Sequence, residues 1–277
     1  MAITAKQVKE LRGITGSGMM DCKKALAEAE GDMDQAIDLL RKKGQKVAAK
    51  RADRESSEGA VFTHISDDKK EGIAFALNCE TDFVGKNEDF QALGKSILER
   101  AVAEKPASAE ALNALELDGR PVSEHIIELT GKIGEKIEIS QYAQLEGEHI
   151  AVYLHGDGKI GVLVNLKNVG DADVEDAGRD IGMQIASMRP VAVDENGVAA
   201  DIVEREKQLG VEKARAEGKP ENIIERIAVG FVKKFYKENT LLHQEFVKDS
   251  KQTVQQYLDS VNKGLTVDSF ARVAIGR

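Results

Sequence analysis

A supersecondary unit occurs twice in this chain, and the repetition constrains its fold more than any other feature. The run His149-Ile150-Ala151-Val152-Tyr153-Leu154-His155 reads like residues 59–64, with a histidine ending each. Ile160-Gly161-Val162-Leu163-Val164-Asn165-Leu166 reads like residues 71–77, and Ile181, Gly182 and Ile185 fall where Leu93, Gly94 and Ile97 fall in the first copy. Short apolar or alternating runs bounded by turn residues mark strands; apolar residues three and four apart mark helices. Strand, turn, strand, loop and helix therefore recur. That predicts a duplicated β-β-α core with two small antiparallel sheets, in the α+β class.

The copies differ at one place. In the first, Asn78-Cys79-Glu80-Thr81-Asp82-Phe83-Val84-Gly85-Lys86-Asn87 forms a polar loop between a strand over 72–77 and a helix over 88–103. In the second, Leu166 is followed by Lys167-Asn168-Val169-Gly170-Asp171. Phe83 and Val84 are apolar side chains on a connection: they either pack back onto their own fold or are offered to another molecule. Asp82 stands ready to make or displace a polar contact beside the ring. Duplication would tend to keep a structural plug in both halves, so its presence in one favours a partner-facing role.

Three short helices precede the first copy. Thr4 is a plausible N-cap for the first, with Val8 and Leu11 on one face and Gly13 at its end; the second covers 19–29 and closes at Gly31. Asp32 caps the third, in which Met33, Ala36, Ile37 and Leu40 share a face and Gly44 ends the run. Residues 46–59 read as a charged, Ala-rich tether, partly helical. Beyond the first copy, helical pieces over 112–117 and 122–133 surround Gly119-Arg120-Pro121, and 136–144 alternates as a strand. After a connector over 191–197, residues 201–209 are helical and charged. The turn Gly218-Lys219-Pro220 then leads into a helix with Ile224, Ile227, Ala228, Phe231 and Phe235 at helical spacing. This is a helical hairpin of coiled-coil type, thinly apolar on its first arm. A helix over 250–261 and a strand over 265–274, returning to the second sheet, complete the chain. The expected divisions are 1–54, 55–140, 141–200, 201–238 and 239–277.

Composition excludes several roles. No apolar run approaches the ~20 residues of a membrane span. The start, Met1 to Gln7, resembles neither a signal nor a transit peptide, so a cytoplasmic protein is expected. Cys22 and Cys79 fit no metal or disulfide spacing. A net charge of −9 opposes general nucleic-acid binding, which needs a cationic face. The exception is the cluster over 41–54, with Lys42, Lys43, Lys46, Lys50 and Arg51, which keeps an RNA-associated module as the alternative reading. Aromatic residues make up only 4% of the chain and Trp is absent, which disfavours base-stacking platforms.

No catalytic constellation is visible. His64, His125, His149, His155 and His243 are scattered, and Cys79 has no adjacent cation to activate it. The glycines over 13–18 follow no strand and precede no Gly-Lys-Ser/Thr, so they are not a phosphate cradle. The expectation is a protein that is not an enzyme, needs no cofactor, and acts by touching another protein.

Two motifs carry a family resemblance. Val8-Lys9-Glu10-Leu11-Arg12 followed by Thr15-Gly16-Ser17-Gly18-Met19-Met20-Asp21-Cys22-Lys23-Lys24-Ala25-Leu26 resembles the N-terminal signature of the bacterial elongation factor Ts family. Asn78-Cys79-Glu80-Thr81-Asp82-Phe83-Val84 is similar to its second signature. The resemblance implies a small N-terminal UBA-like three-helix domain and an inserted helical hairpin. It implies guanine-nucleotide exchange on elongation factor Tu during translation elongation, with the partner met both GDP-bound and nucleotide-free. Asp82 and Phe83, shaped by Thr81 and Val84, would dislodge the partner's Mg²⁺. Arg12, Met19 and Met20 would meet the same partner, although paired methionines are by pattern ordinary core filling. Ile133, Gly134, His155, Gly156 and Arg179 would supply core contacts. No direct nucleic acid or membrane contact is implied, and the hairpin is a candidate homodimer surface. The chain ends without the extra C-terminal helix that some members carry.

Overall fold

The computed structural model describes residues 3–276. Helix α1 (Ala5–Thr15) starts with a capping box: the Thr4 hydroxyl accepts from the Gln7 amide, and the Gln7 side chain accepts from the Thr4 amide. The helix does not stop at Gly13. It runs to Thr15 and ends at Gly16, whose φ of 61° lets its N–H close on the Arg12 carbonyl. One interior glycine costs a helix only ~1 kcal/mol, so Gly13 weakens α1 without ending it. Helices α2 (Met19–Glu28) and α3 (Met33–Arg51, capped by Asp32) close a small bundle around Val8, Leu11, Cys22, Ala25, Leu26, Ala29 and Ala36.

Gly44 was expected to end α3, and does not. It is buried inside that helix, where α3 crosses the later segment Val122–Ile133; a Cβ built on Gly131 would lie 2.5 Å from the Gly44 Cα. Two facing glycines let the helices approach closely. Residues up to Arg51, expected as tether, are therefore the last turns of α3.

Strands β1 (Glu58–Ile65) and β2 (Glu71–Cys79) form a hairpin, followed by one turn of helix α4 (Asp82–Gly85), α5 (Glu88–Glu104) and α6 (Ala109–Ala114). The segment around Gly119 is a miniature hairpin of β3 (Glu116–Leu117) and β4 (Arg120–Pro121). Helix α7 (Val122–Ile133) and strand β5 (Glu138–Glu146) follow. The first sheet has the order β1-β2-β5, and β2 is buried from Gly72 onward.

The second half repeats the plan with β6 (His149–His155), β7 (Ile160–Lys167) and α8 (Glu175–Met188). A hairpin of α9 (Ala200–Ala216) and α10 (Glu221–Asn239) follows, then β8 (Glu245–Phe246), β9 (Asp249–Thr253), α11 (Val254–Val261) and β10 (Thr266–Ala274). Residues 250–253, expected to begin a helix, belong to β9, because Thr253 is the N-cap at which α11 starts. Strand β10 joins the second sheet as expected, giving the order β10-β7-β6. Each half thus gains a third strand, β5 or β10, beside its central strand.

The repeat reaches single contacts. A Cβ on Gly94 would lie 2.0 Å from the Phe62 ring, and one on Gly182 would lie 2.4 Å from the Tyr153 Cβ. In each half a helical glycine seats the aromatic residue two positions before the strand's histidine. The α9–α10 hairpin is held by Gly210 against Ala228 and Phe231, by Lys213 over the Phe231 ring, and by Arg215–Glu221 and Lys207–Glu225 pairs. Among the described residues no helix is long and apolar enough to cross a membrane. The chain divides into two compact units, Met1–Thr63 with Ala74–Ala143 and Val273–Arg277, and His64–Ile73 with Gln144–Arg272.

Candidate functional site

The polar stretch after β2 is fastened residue by residue. The buried Asn78 amide donates to the Ser56 carbonyl (2.8 Å) and accepts from the Ser140 hydroxyl (2.7 Å). The Cys79 thiol is fully buried and donates to the Thr81 carbonyl at 3.1 Å. Burial, and then the charge of Glu135, push that thiol up to about 12, so it is no thiolate nucleophile near neutral pH. Both Glu80 oxygens take the Arg51 guanidinium, at 2.7 and 2.9 Å, and one also takes the Lys136 amide at 2.7 Å. Burial alone would raise the Glu80 carboxyl; the Lys136 amide and the Arg51 charge outweigh it and hold the group below the usual carboxylate range.

Thr81 comes next, and Glu135 grips it twice: Oε2 accepts from the Thr81 amide (3.0 Å) and Oε1 from its hydroxyl (2.8 Å). The expected loop is in fact helical over Asp82–Gly85, closed by Gly85 and Lys86 amides on the Thr81 and Asp82 carbonyls. At its far end Gly85 lies against Gly59, Gln91 donates to the Gly85 carbonyl (2.6 Å), and Asn87 caps α5. A helical turn points successive side chains in different directions, so the two apolar residues separate. Val84 is buried, whereas Phe83 is 82% exposed. Asp82 reaches only Lys86, at 3.5 Å.

Ile133 is half-buried at the end of α7, and Gly134 (φ 85°) ends that helix on the Thr130 carbonyl. The next residue is Glu135, so the helix end and the Thr81 turn are neighbours. Lys132, three residues before Glu135, pairs with Asp89 at 2.8 Å and lays the end of its side chain over Gly16. At the α1–α2 junction Arg12 is exposed, as are Ile14 (57%), Met19 (59%) and Met20 (61%). The methionines are not core filling. In the second unit His155 bonds the Tyr153 hydroxyl through Nδ1 (3.0 Å) at the β6–β7 turn, beside Gly156 with φ 62°. Arg179 is exposed on α8, lining a groove with Tyr153, Leu154, Glu175 and Asp176.

Sequence reasoning placed Arg51 in the cationic cluster without its Glu80 partner, and missed Ser140 and Glu135. Each lies far along the chain from the residue it holds, and its type and spacing carry no signal of that pairing. The cationic cluster is partly spent on internal pairs, Arg51 on Glu80, Lys43 on Asp21 (2.5 Å) and Arg41 on Asp38 (3.8 Å). Among the described residues no group of three or more His, Cys, Asp or Glu side chains could hold a metal ion.

Comparison with known proteins bears on this arrangement. The profile of the family described as Elongation factor TS matches residues 80–277. The chain is 55% identical over 274 residues to the Elongation factor Ts of Cytophaga hutchinsonii, covering 99% of each. It is 50% identical over 276 residues to that of Amoebophilus asiaticus, covering both chains fully, and 47% identical over 274 residues to that of Christiangramia forsetii, covering 99% of each. With an α+β fold, both signature motifs in place and relatives matching from end to end, the chain belongs to the elongation factor Ts family.

Proposed function

We propose that this chain promotes guanine-nucleotide exchange on elongation factor Tu, acting as a binding partner and carrying out no chemical step of its own. The observation that carries the reading is Phe83, a phenylalanine left 82% exposed on a turn fastened at both ends, by Glu135 on Thr81 and by Gln91 on the Gly85 carbonyl. An aromatic ring held in water on a fixed support has a high free energy until a partner covers it. On this reading Phe83 enters the partner close to its Mg²⁺ and phosphate site, Asp82 exchanges Lys86 for a partner group, and Val84 and Thr81 keep the turn in shape. Arg12, Met19 and Met20 form a second contact surface, Ile133 and Gly134 border the first, and His155, Gly156 and Arg179 supply contacts from the second unit. The setting is the cytoplasm.

The physics is linkage. A factor that prefers the nucleotide-free form of its partner weakens nucleotide binding by the same factor by which nucleotide weakens its own binding. Burying one phenylalanine contributes ~1.5–3 kcal/mol, which at ~1.4 kcal/mol per tenfold supplies about one to two decades of coupling. Phe83 therefore needs the help of the other surfaces. The test is release of fluorescent GDP from purified elongation factor Tu with and without the chain. Accelerated release that is strongly reduced by Phe83→Ala supports the proposal. No acceleration rejects it, and acceleration untouched by Phe83→Ala rejects the wedge.

A further inference from the structure

We infer that Glu135 is a positioning residue for exchange, a carboxylate that aims Phe83 without touching the partner; the inference rests on the wedge reading above. The Phe83 ring, being 82% exposed, has almost no packing of its own to fix its direction, so the backbone of residues 81–85 must do so. A single helical turn is not stable alone, because nucleating a helix fixes several residues for one hydrogen bond. Its far end is secured by buried Val84, by Gly85 against Gly59 and by Gln91 on the Gly85 carbonyl. Its near end begins at Thr81, which stands at the N-cap in extended conformation (φ −128°, ψ 154°). A threonine there ordinarily turns its hydroxyl onto the following amides. Here it makes no such bond; the hydroxyl is donated to Glu135, along with the amide.

Glu135 has therefore taken over the job of fixing where the turn starts. Its own place is set by the end of α7, since it follows Gly134 in the left-handed region. The neighbouring Lys136 amide holds Glu80, so residues 135 and 136 grip residues 81 and 80 in succession. A carboxylate accepts from both donors at once; a carboxamide can keep the Thr81 amide on its oxygen but meets the hydroxyl with an N–H, so the hydroxyl must turn to accept a weaker, uncharged bond.

The experiment uses the full chain and elongation factor Tu loaded with fluorescent GDP, reading maximal release rate and half-saturating concentration separately. Glu135→Ala lowers the maximal rate about tenfold, the worth of charge-assisted hydrogen bonds, and leaves the half-saturating concentration within about twofold. Amide hydrogen exchange over residues 81–85 of the free chain accelerates. In a Phe83→Ala background the same substitution removes nothing further, since there is no ring left to aim; a merely structural role would cost the same in both backgrounds. Glu135→Gln, of equal size, gives a smaller loss in the same direction and serves if the alanine variant fails to fold. A normal maximal rate in both Glu135 variants while Phe83→Ala is slow overturns this inference and leaves the wedge standing, as does an equal loss in both backgrounds. A normal rate in Phe83→Ala itself overturns both.

Discussion

The two halves of the core end their central strands on the same kind of anchor and then diverge. After β7, Glu148 accepts from the amides of Asn168 and Val169, each at 2.8 Å, as Glu135 accepts from the Thr81 amide and hydroxyl after β2. The amides hold the Glu148 carboxyl below its usual range, as Glu80 is held. Asn262 then bonds the Asn168 and Val169 carbonyls, and Val169 goes into the core beside Val174 and Leu166. In the second half the connection is closed on itself, with Val169 7% exposed; in the first it leaves Phe83 82% exposed. The strand-end anchor is shared; the first half adds a helical turn over Asp82–Gly85 that buries Val84 and leaves Phe83 outside. A carboxylate grip on strand-end amides is thus a general support, used once to seal a loop and once to present a ring.

The sharpest way to break this comparison is to remove the apolar residue from each side. Phe83→Ala lowers maximal nucleotide release by about one to two decades and leaves the melting temperature unchanged, since its side chain already faces water. Val169→Ala does the reverse: a stability loss of about 1–2 kcal/mol from the cavity, visible as a melting shift, with exchange unaffected. If Val169→Ala slowed exchange as Phe83→Ala does, the two loops would not have separate roles.

The next effect tests whether the halves are equivalent inside. Gly94→Ala and Gly182→Ala each insert a methyl where a neighbour already stands, a cost of about 1–3 kcal/mol partly offset by the ~1 kcal/mol that alanine gains over glycine in a helix. The obstacle to Gly182→Ala is the Tyr153 Cβ, which is fixed to its strand. The obstacle to Gly94→Ala is the Phe62 ring, which can tilt but is stacked on Phe75 at 5.3 Å between centroids. Gly182→Ala is therefore the more destabilising in denaturant titrations. The opposite order would mean that the stacked aromatic pair is the stiffer of the two supports.

These glycines also show what could be read in the sequence. The repeat was legible because packing preserved both strand pattern and helical glycine in each copy, so Gly94 and Gly182 aligned before any coordinates did. The strand over residues 265–274 was legible too, and it returns to the second sheet as expected. Gly44 was misread because a glycine that ends a helix and one that lets two helices touch look identical in one dimension; only the position of Gly131 tells them apart. Phe83 and Val84 were seen as a pair, but the sequence does not reveal that a single turn sends one inward and the other out. Glu135 carried no signal at all, since its partner lies 54 residues earlier and a carboxylate after a helix-ending glycine is commonplace.

The smallest expected effect concerns the acid side of the support under Phe83. Glu80 has its carboxyl held below the ordinary value, so its contribution is fully present above the unfolded-state value of about 4.3 and fades as pH falls through the lower folded-state value. Glu80→Gln should therefore cost about 1 kcal/mol near neutral pH, through loss of the charge-assisted bonds to Arg51 and to the Lys136 amide. The gap between the melting curves of the two proteins should narrow steadily below pH of about 4, where the native carboxylate itself becomes protonated. Arg51→Gln should show a weaker narrowing over the same range, because Glu80 then loses the guanidinium but keeps the Lys136 amide. A gap that stayed constant into acid would mean that Glu80 acts through packing, and the likeness between its grip and that of Glu148 would then be one of shape without charge.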